Sequence, residues 1–195
     1  MQSLTDKLNI LIDALRSRGI RKVDNLSPGL TRSEIEDKTV HLPFQLPEEI
    51  YELYQWRNGL RTDIPDNESP FIFRDQYLLS LDETLTKYEE LVKCFSYESY
   101  EDEMRDYGVD LKFCFPFAGF EGSLYLIACG RQYMTDKSQH PIIQAFEDIS
   151  LYFYTFSSML DTCIEWVQHP DYTKYYTLNE SEAWEKHNPG IFNSY

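Results

Sequence analysis

Two apolar runs, Phe113 to Phe117 and Ser123 to Cys129, flank the turn-rich pentapeptide Ala118-Gly119-Phe120-Glu121-Gly122. Runs this short, rich in aromatic and branched side chains and separated by glycines, read as two strands of a hairpin. Both are too continuously apolar for a sheet rim and are expected as central strands. Beyond the polar loop from Gly130 to His140, which Pro141 closes, Ile142 to Phe146 and Leu151 to Thr155 read as two further strands around Glu147-Asp148. Upstream, Phe71 to Phe73 and Tyr77 to Leu81 form a first hairpin across Arg74-Asp75-Gln76.

Helical signals bracket these strands. Leu4, Leu8, Leu11, Ile12 and Leu15 repeat at helical spacing behind a Ser3/Asp6 capping pair, and Gly19 stands where that helix stops. Thr31 and Glu34 form a second capping box for a short helix from Arg32 toward Thr39. In Leu46 to Gly59, Pro47 suits the first helical position, Glu48 and Glu49 favour the positive end of the dipole, and Ile50, Leu53 and Tyr54 make one stripe. Asn58-Gly59 is expected to close that helix with a left-handed cap. Asp82 is expected to cap a helix whose apolar face is Leu85, Tyr88, Val92 and Phe95. Ser157 is expected to cap another, with Leu160, Cys163, Ile164 and Val167 on one face and an end at His169-Pro170. No internal repeat is present.

A chain of 195 residues, 42% hydrophobic and 15% aromatic, can bury a continuous core and is too apolar for disorder. One domain is expected over residues 1–170, including the N-terminal helix. A polar C-terminal tail over 171–195 follows, with a short helix begun by Asn179 and Glu182 and stopped by Pro189-Gly190.

Acidic residues number 33 against 18 basic ones, a net charge of -15. Such a surface repels nucleic-acid phosphates and anionic headgroups, so neither nucleic acid nor membrane is expected as a partner, whereas a basic protein is attracted. Cys94, Cys114, Cys129 and Cys163 are widely spaced beside apolar neighbours and read as buried free thiols. With no leader pattern and no apolar run long enough to span a bilayer, a cytoplasmic location is expected.

Leu46-Pro47 through Asn58-Gly59, then Phe115-Pro116-Phe117-Ala118 with Ser123-Leu124-Tyr125-Leu126-Ile127, then Tyr154-Thr155-Phe156-Ser157-Ser158-Met159-Leu160, resemble successive signatures of the SUKH superfamily, in particular its Smi/Knr-like group. The resemblance spans about Leu30 to Val167. The family usually carries an acidic, glycine-rich turn where this chain has Gly119-Phe120-Glu121-Gly122. What the resemblance implies is a single α+β domain whose helices flank a largely antiparallel twisted sheet of about five to six strands, and a non-enzymatic binding role. Bacterial relatives are immunity proteins that neutralise toxins, and fungal relatives organise cell-wall signalling.

The strongest local charge bias runs from Glu98 to Asp110, where six acidic residues face Arg105 alone. Tyr97, Tyr100, Glu101, Asp102, Glu103, Asp106 and Tyr107 mix negative charge with rigid amphipathic rings and are the candidate partner-binding residues; the plainer reading is a solvated surface. Trp56 suits either an interface anchor or core packing, and Asn58-Gly59 either a cleft border or a helix stop. His41, His140, His169 and His187 are scattered without metal-ligand spacing. Glu89-Glu90 and Glu101-Asp102-Glu103 have no companion nucleophile, and the glycines lack phosphate-loop spacing. The expectation is therefore a protein without catalytic, metal or cofactor site that blocks a cognate toxin domain, a basic nuclease-type domain being the natural target. The alternative is a regulatory scaffold of the Smi/Knr type.

Overall fold

The computed structural model describes residues 2–61, 71–94, 110–129, 140–146, 149–172 and 180–191. Its helices are α1 (Leu4–Ser17), α2 (Arg32–Thr39), α3 (Glu48–Trp56), α4 (Leu81–Cys94), α5 (Phe156–Gln168) and α6 (Glu180–His187). Its strands are β1 (Leu26–Pro28), β2 (Arg57–Leu60), β3 (Tyr77–Leu78), β4 (Cys114–Phe120), β5 (Ser123–Ala128), β6 (Ile142–Ala145) and β7 (Ile149–Phe153). Strands β3 to β7 lie in sequence order in one antiparallel five-stranded sheet, and β1 pairs with β2 in a separate antiparallel ribbon. The arrangement is α+β.

The central hairpin forms with a shorter turn than the sequence suggests: Ala118, Gly119 and Phe120 pair with β5 as part of β4, which leaves only Glu121-Gly122 to reverse the chain. Glu121 and Gly122 both adopt positive φ, 46° and 89°, as the tight turn between two twisted antiparallel strands requires. β5 is buried on both faces. Tyr125 and Ile127 enter the principal core, while Leu126 and Ala128 join Cys114, Ile143, Ala145 and Ile149 in a second cluster. Leu91 of α4 and Leu111 belong to that second cluster too. The principal core gathers Leu8, Leu11 and Leu15 of α1, Ile50, Leu53 and Tyr54 of α3, and Phe156, Met159 and Leu160 of α5. Phe73, Phe117 and Phe156 pack ring against ring in it. Trp184 of α6 and Ile191 are buried there as well, so the chain beyond residue 180 contributes to the core.

Both predicted capping boxes are present: Ser3 with Asp6 starts α1 and Thr31 with Glu34 starts α2. Other boundaries move. Pro47 is the residue before α3 rather than its first helical one. Asn58-Gly59 does not cap α3, because Arg57 is already extended and the chain passes straight into β2. α4 begins at Leu81, and Ser80 rather than Asp82 caps it: Glu83 N–H donates to Ser80 Oγ, and Ser80 N–H to Glu83 Oε2. The buried stripe runs Leu81, Thr84, Tyr88 and Leu91, so Leu91 faces inward and Val92 is exposed. Phe95 lies outside the described residues. Thr155, not Ser157, caps α5 through Ser158. The first hairpin shrinks to β3 and a Phe73–Gln76 bridge across a turn in which Arg74 has φ 62°.

Two backbone crossings fix the α3 region. The N–H of Leu30 donates to Tyr54 O at 2.8 Å, and a Cβ at Gly29 would lie 1.8 Å from Gln55 O. Only glycine lets the chain entering α2 pass that close to α3.

Candidate functional site

The connection from α2 to α3 does not lie flat on the domain. Leu42 and Leu46 anchor it in the principal core, whereas His41 before them and Pro43 and Gln45 between them face solvent. Phe44 is half-buried and sits edge-on to Tyr88, Phe113 and Phe115, with centroid separations of 5.6, 6.4 and 6.4 Å. The result is a solvent-open groove of about 680 Å³. One wall is the last turn of α2 with the connection, another is Tyr51 of α3, and Phe113 and Cys129 close it from the sheet. These last two flank β4 and β5 and are tied by a bond from Cys129 N–H to Phe113 O. Val40, at the end of α2, is 82% exposed and belongs to the same lining.

Charge around the groove is held in place by Arg32. Its guanidinium grips Glu48 with two nitrogens at 2.7 and 3.1 Å, reaches Glu36 at 3.1 Å, and lies 4.1 Å from the centre of the Tyr51 ring. This joins α2 to the first turn of α3 and sets the spacing of the two walls. The Arg32 bond also holds the Glu48 carboxyl below the usual glutamate range. Burial pushes up the Tyr51 hydroxyl and the Cys129 thiol, so neither supplies a nucleophile near neutral pH. Tyr88, whose hydroxyl donates to Lys112 O, is pushed up to about 12 by burial. What the groove offers is a mixed surface in which Glu36, Thr39 and Gln45 stand beside the rings of Phe44, Tyr51 and Phe113.

Tyr97, Tyr100, Glu101, Asp102, Glu103, Asp106 and Tyr107 lie outside the described residues. Their stretch rejoins the described chain at Asp110, which accepts from Lys112 N–H and pairs with the Lys112 ammonium at 2.6 Å. Phe113 of the groove follows three residues later. Trp56 is a core residue whose Nε1–H donates to Asn9 Oδ1 at 2.9 Å. Asn58 and Gly59 are architectural, though at a different junction from the one expected: Asn58 Oδ1 accepts from Leu81 N–H, and Gly59 packs against the backbone of Ser80. The four histidines stay apart, His140 against Ala128 O, His187 against Glu165, His169 beside Asp171 and His41 in solvent. Among the described residues no three metal-ligating side chains come together, and no helix is long and apolar enough to cross a membrane.

Sequence reasoning missed the groove. Its residues come from α2, the connection, α3 and two strand ends far apart in sequence, and the only local signal is the apolar, helix-free stretch Val40 to Leu46. No protein-family model matches this chain, and no curated protein matches it either.

Proposed function

We propose that this chain is an immunity protein, a non-enzymatic binder that captures a basic, nuclease-type toxin domain in the cytoplasm and blocks it by covering its surface. The acidic balance of the chain carries this reading: its net charge is -15, and the open groove between the α2–α3 connection and the sheet mixes polar side chains, Glu36 among them, with the rings of Phe44, Tyr51 and Phe113. Apolar area supplies affinity and the acidic field accelerates encounter with a cationic partner. The resemblance of α3, β4, β5 and the start of α5 to the Smi/Knr-like pattern favours protein recognition on the same scaffold.

Co-expression with a toxin domain, sought first in the neighbouring genes, tests the reading. Cell survival with a co-purifying complex is the expected result, and cell death despite soluble expression of this chain overturns it. A complex with a signalling protein that confers no protection would identify the scaffold role instead.

A further inference from the structure

We infer that Asn58-Gly59 is a spontaneous deamidation site held in check by the fold, and that a chain left open at the junction of β2 with α4 is converted there into a form that no longer rebuilds it. Asn58-Gly59 is the only Asn-Gly pair in the sequence. The reaction needs no enzyme, only water. Once base removes its proton, Gly59 N attacks Asn58 Cγ, the new N–C bond closes a cyclic imide, and Nδ2 departs as ammonia. Water then opens the imide at one carbonyl or the other, leaving aspartate or isoaspartate. Glycine favours the attack because no Cβ screens the nitrogen.

The native junction withholds both reacting groups. Asn58 Oδ1 accepts the Leu81 N–H at 2.8 Å, which commits the side chain to the start of α4. Gly59 is buried and lies so close to Ser80 that an added Cβ would stand 2.3 Å from Ser80 N. On either side, Arg57 is opposite Pro28, Leu60 is opposite Leu26, and Arg61 N–H donates to Asn25 O at 3.2 Å. Ring closure needs the nitrogen and the carbonyl carbon aligned and roughly 3–3.5 Å apart. Reaching that geometry means breaking the Leu81 bond and rotating a peptide whose Cα is wedged against Ser80. The reaction therefore draws on the opened population, and its rate follows how often the junction opens.

The two products differ in what they can refold to. Aspartate keeps an oxygen for the Leu81 N–H and adds negative charge at the positive end of the α4 dipole. Isoaspartate carries the main chain through the former side chain. That lengthens β2 between Arg57 and Leu60 by a methylene and displaces the acceptor from Leu81 and Gly59 from Ser80.

Incubating the full-length protein at mildly alkaline pH, in buffer and in denaturing urea, with peptide mapping by mass spectrometry, tests this. Conversion at Asn58 should run at least about tenfold slower in buffer, because only the opened fraction reacts. It should accelerate as sub-denaturing urea opens the chain. After refolding, the isoaspartate product should unfold at a lower urea concentration than the native protein, whereas Asn58→Asp should stay close to native. Equal rates in buffer and in urea would overturn the inference, as would an unmodified Asn58 in urea or an isoaspartate product with the native midpoint.

Discussion

Asn58 Oδ1 accepts the backbone N–H of Leu81 at 2.8 Å, so a residue of β2 caps a helix that begins twenty-three positions later. Ser80 and Glu83 satisfy the neighbouring donors, which makes the start of α4 a composite of local and distant caps. Asn58→Ala should lower stability by about 1 kcal/mol in chemical denaturation, and Asn58→Asp should retain most of it because the acceptor remains. Equal losses from the two substitutions would show that the side-chain acceptor is not what matters.

Gly59 and Gly122 both have positive φ, 70° and 89°, yet replacing them should have different consequences. A Cβ at Gly59 would lie 2.3 Å from Ser80 N and 2.6 Å from its Cα, whereas a Cβ at Gly122 meets nothing within 4 Å. Gly122→Ala should cost only the roughly 1–2 kcal/mol of a left-handed residue with a Cβ. Gly59→Ala adds a backbone collision and should cost clearly more, with the two melting temperatures giving the comparison.

Inside the principal core, the Tyr54 hydroxyl and Thr84 Oγ1 are 2.6 Å apart and buried. Tyr54→Phe should destabilise by about 1–2 kcal/mol because it strands the Thr84 hydroxyl. A double-mutant cycle with Thr84→Val should give a coupling energy of about 1 kcal/mol. Strict additivity would mean that the two hydroxyls do not interact.

Glu165 accepts from Lys186 and from His187, each at 2.7 Å, and so links α5 to α6. The Lys186 bond, followed by the His187 bond, holds the Glu165 carboxyl below its ordinary value. A depressed carboxyl stabilises the fold above its unfolded pKa, about 4.3, and that contribution fades as pH falls through the lower folded value. The group is partly exposed, so Glu165→Gln should cost only about 0.2–1 kcal/mol at pH 7. The native and variant denaturation midpoints should converge under acid conditions.

These contacts divide what sequence can and cannot reveal. Ser3 with Asp6 and Thr31 with Glu34 were legible because a capping box is complete within four residues. The β4–β5 hairpin was legible because Gly122 and two apolar runs specify it locally. Asn58-Gly59 carries the same signature as a helix stop, and only the approach of Ser80 and Leu81 through space gives it another task. The last turn of the α4 stripe differs by one position, since Leu91 and Val92 are both apolar and either spacing from Tyr88, three or four residues, fits a helix face. The groove was hidden for another reason: Val40, Tyr51, Phe113 and Cys129 become neighbours only when the sheet and the helices pack.

α1 packs on α5, with Lys7 bonded to Ser157 and Asp161 and Arg18 bonded to the carbonyls of Val167, Gln168 and His169. During synthesis α1 thus waits for a partner about 150 residues further on. At roughly 5–20 residues per second, its leucine face goes without that partner for about 8–30 s of synthesis. Loss of affinity between α1 and α5 would register first as nascent chain lost to aggregation or degradation, before any change in the finished protein.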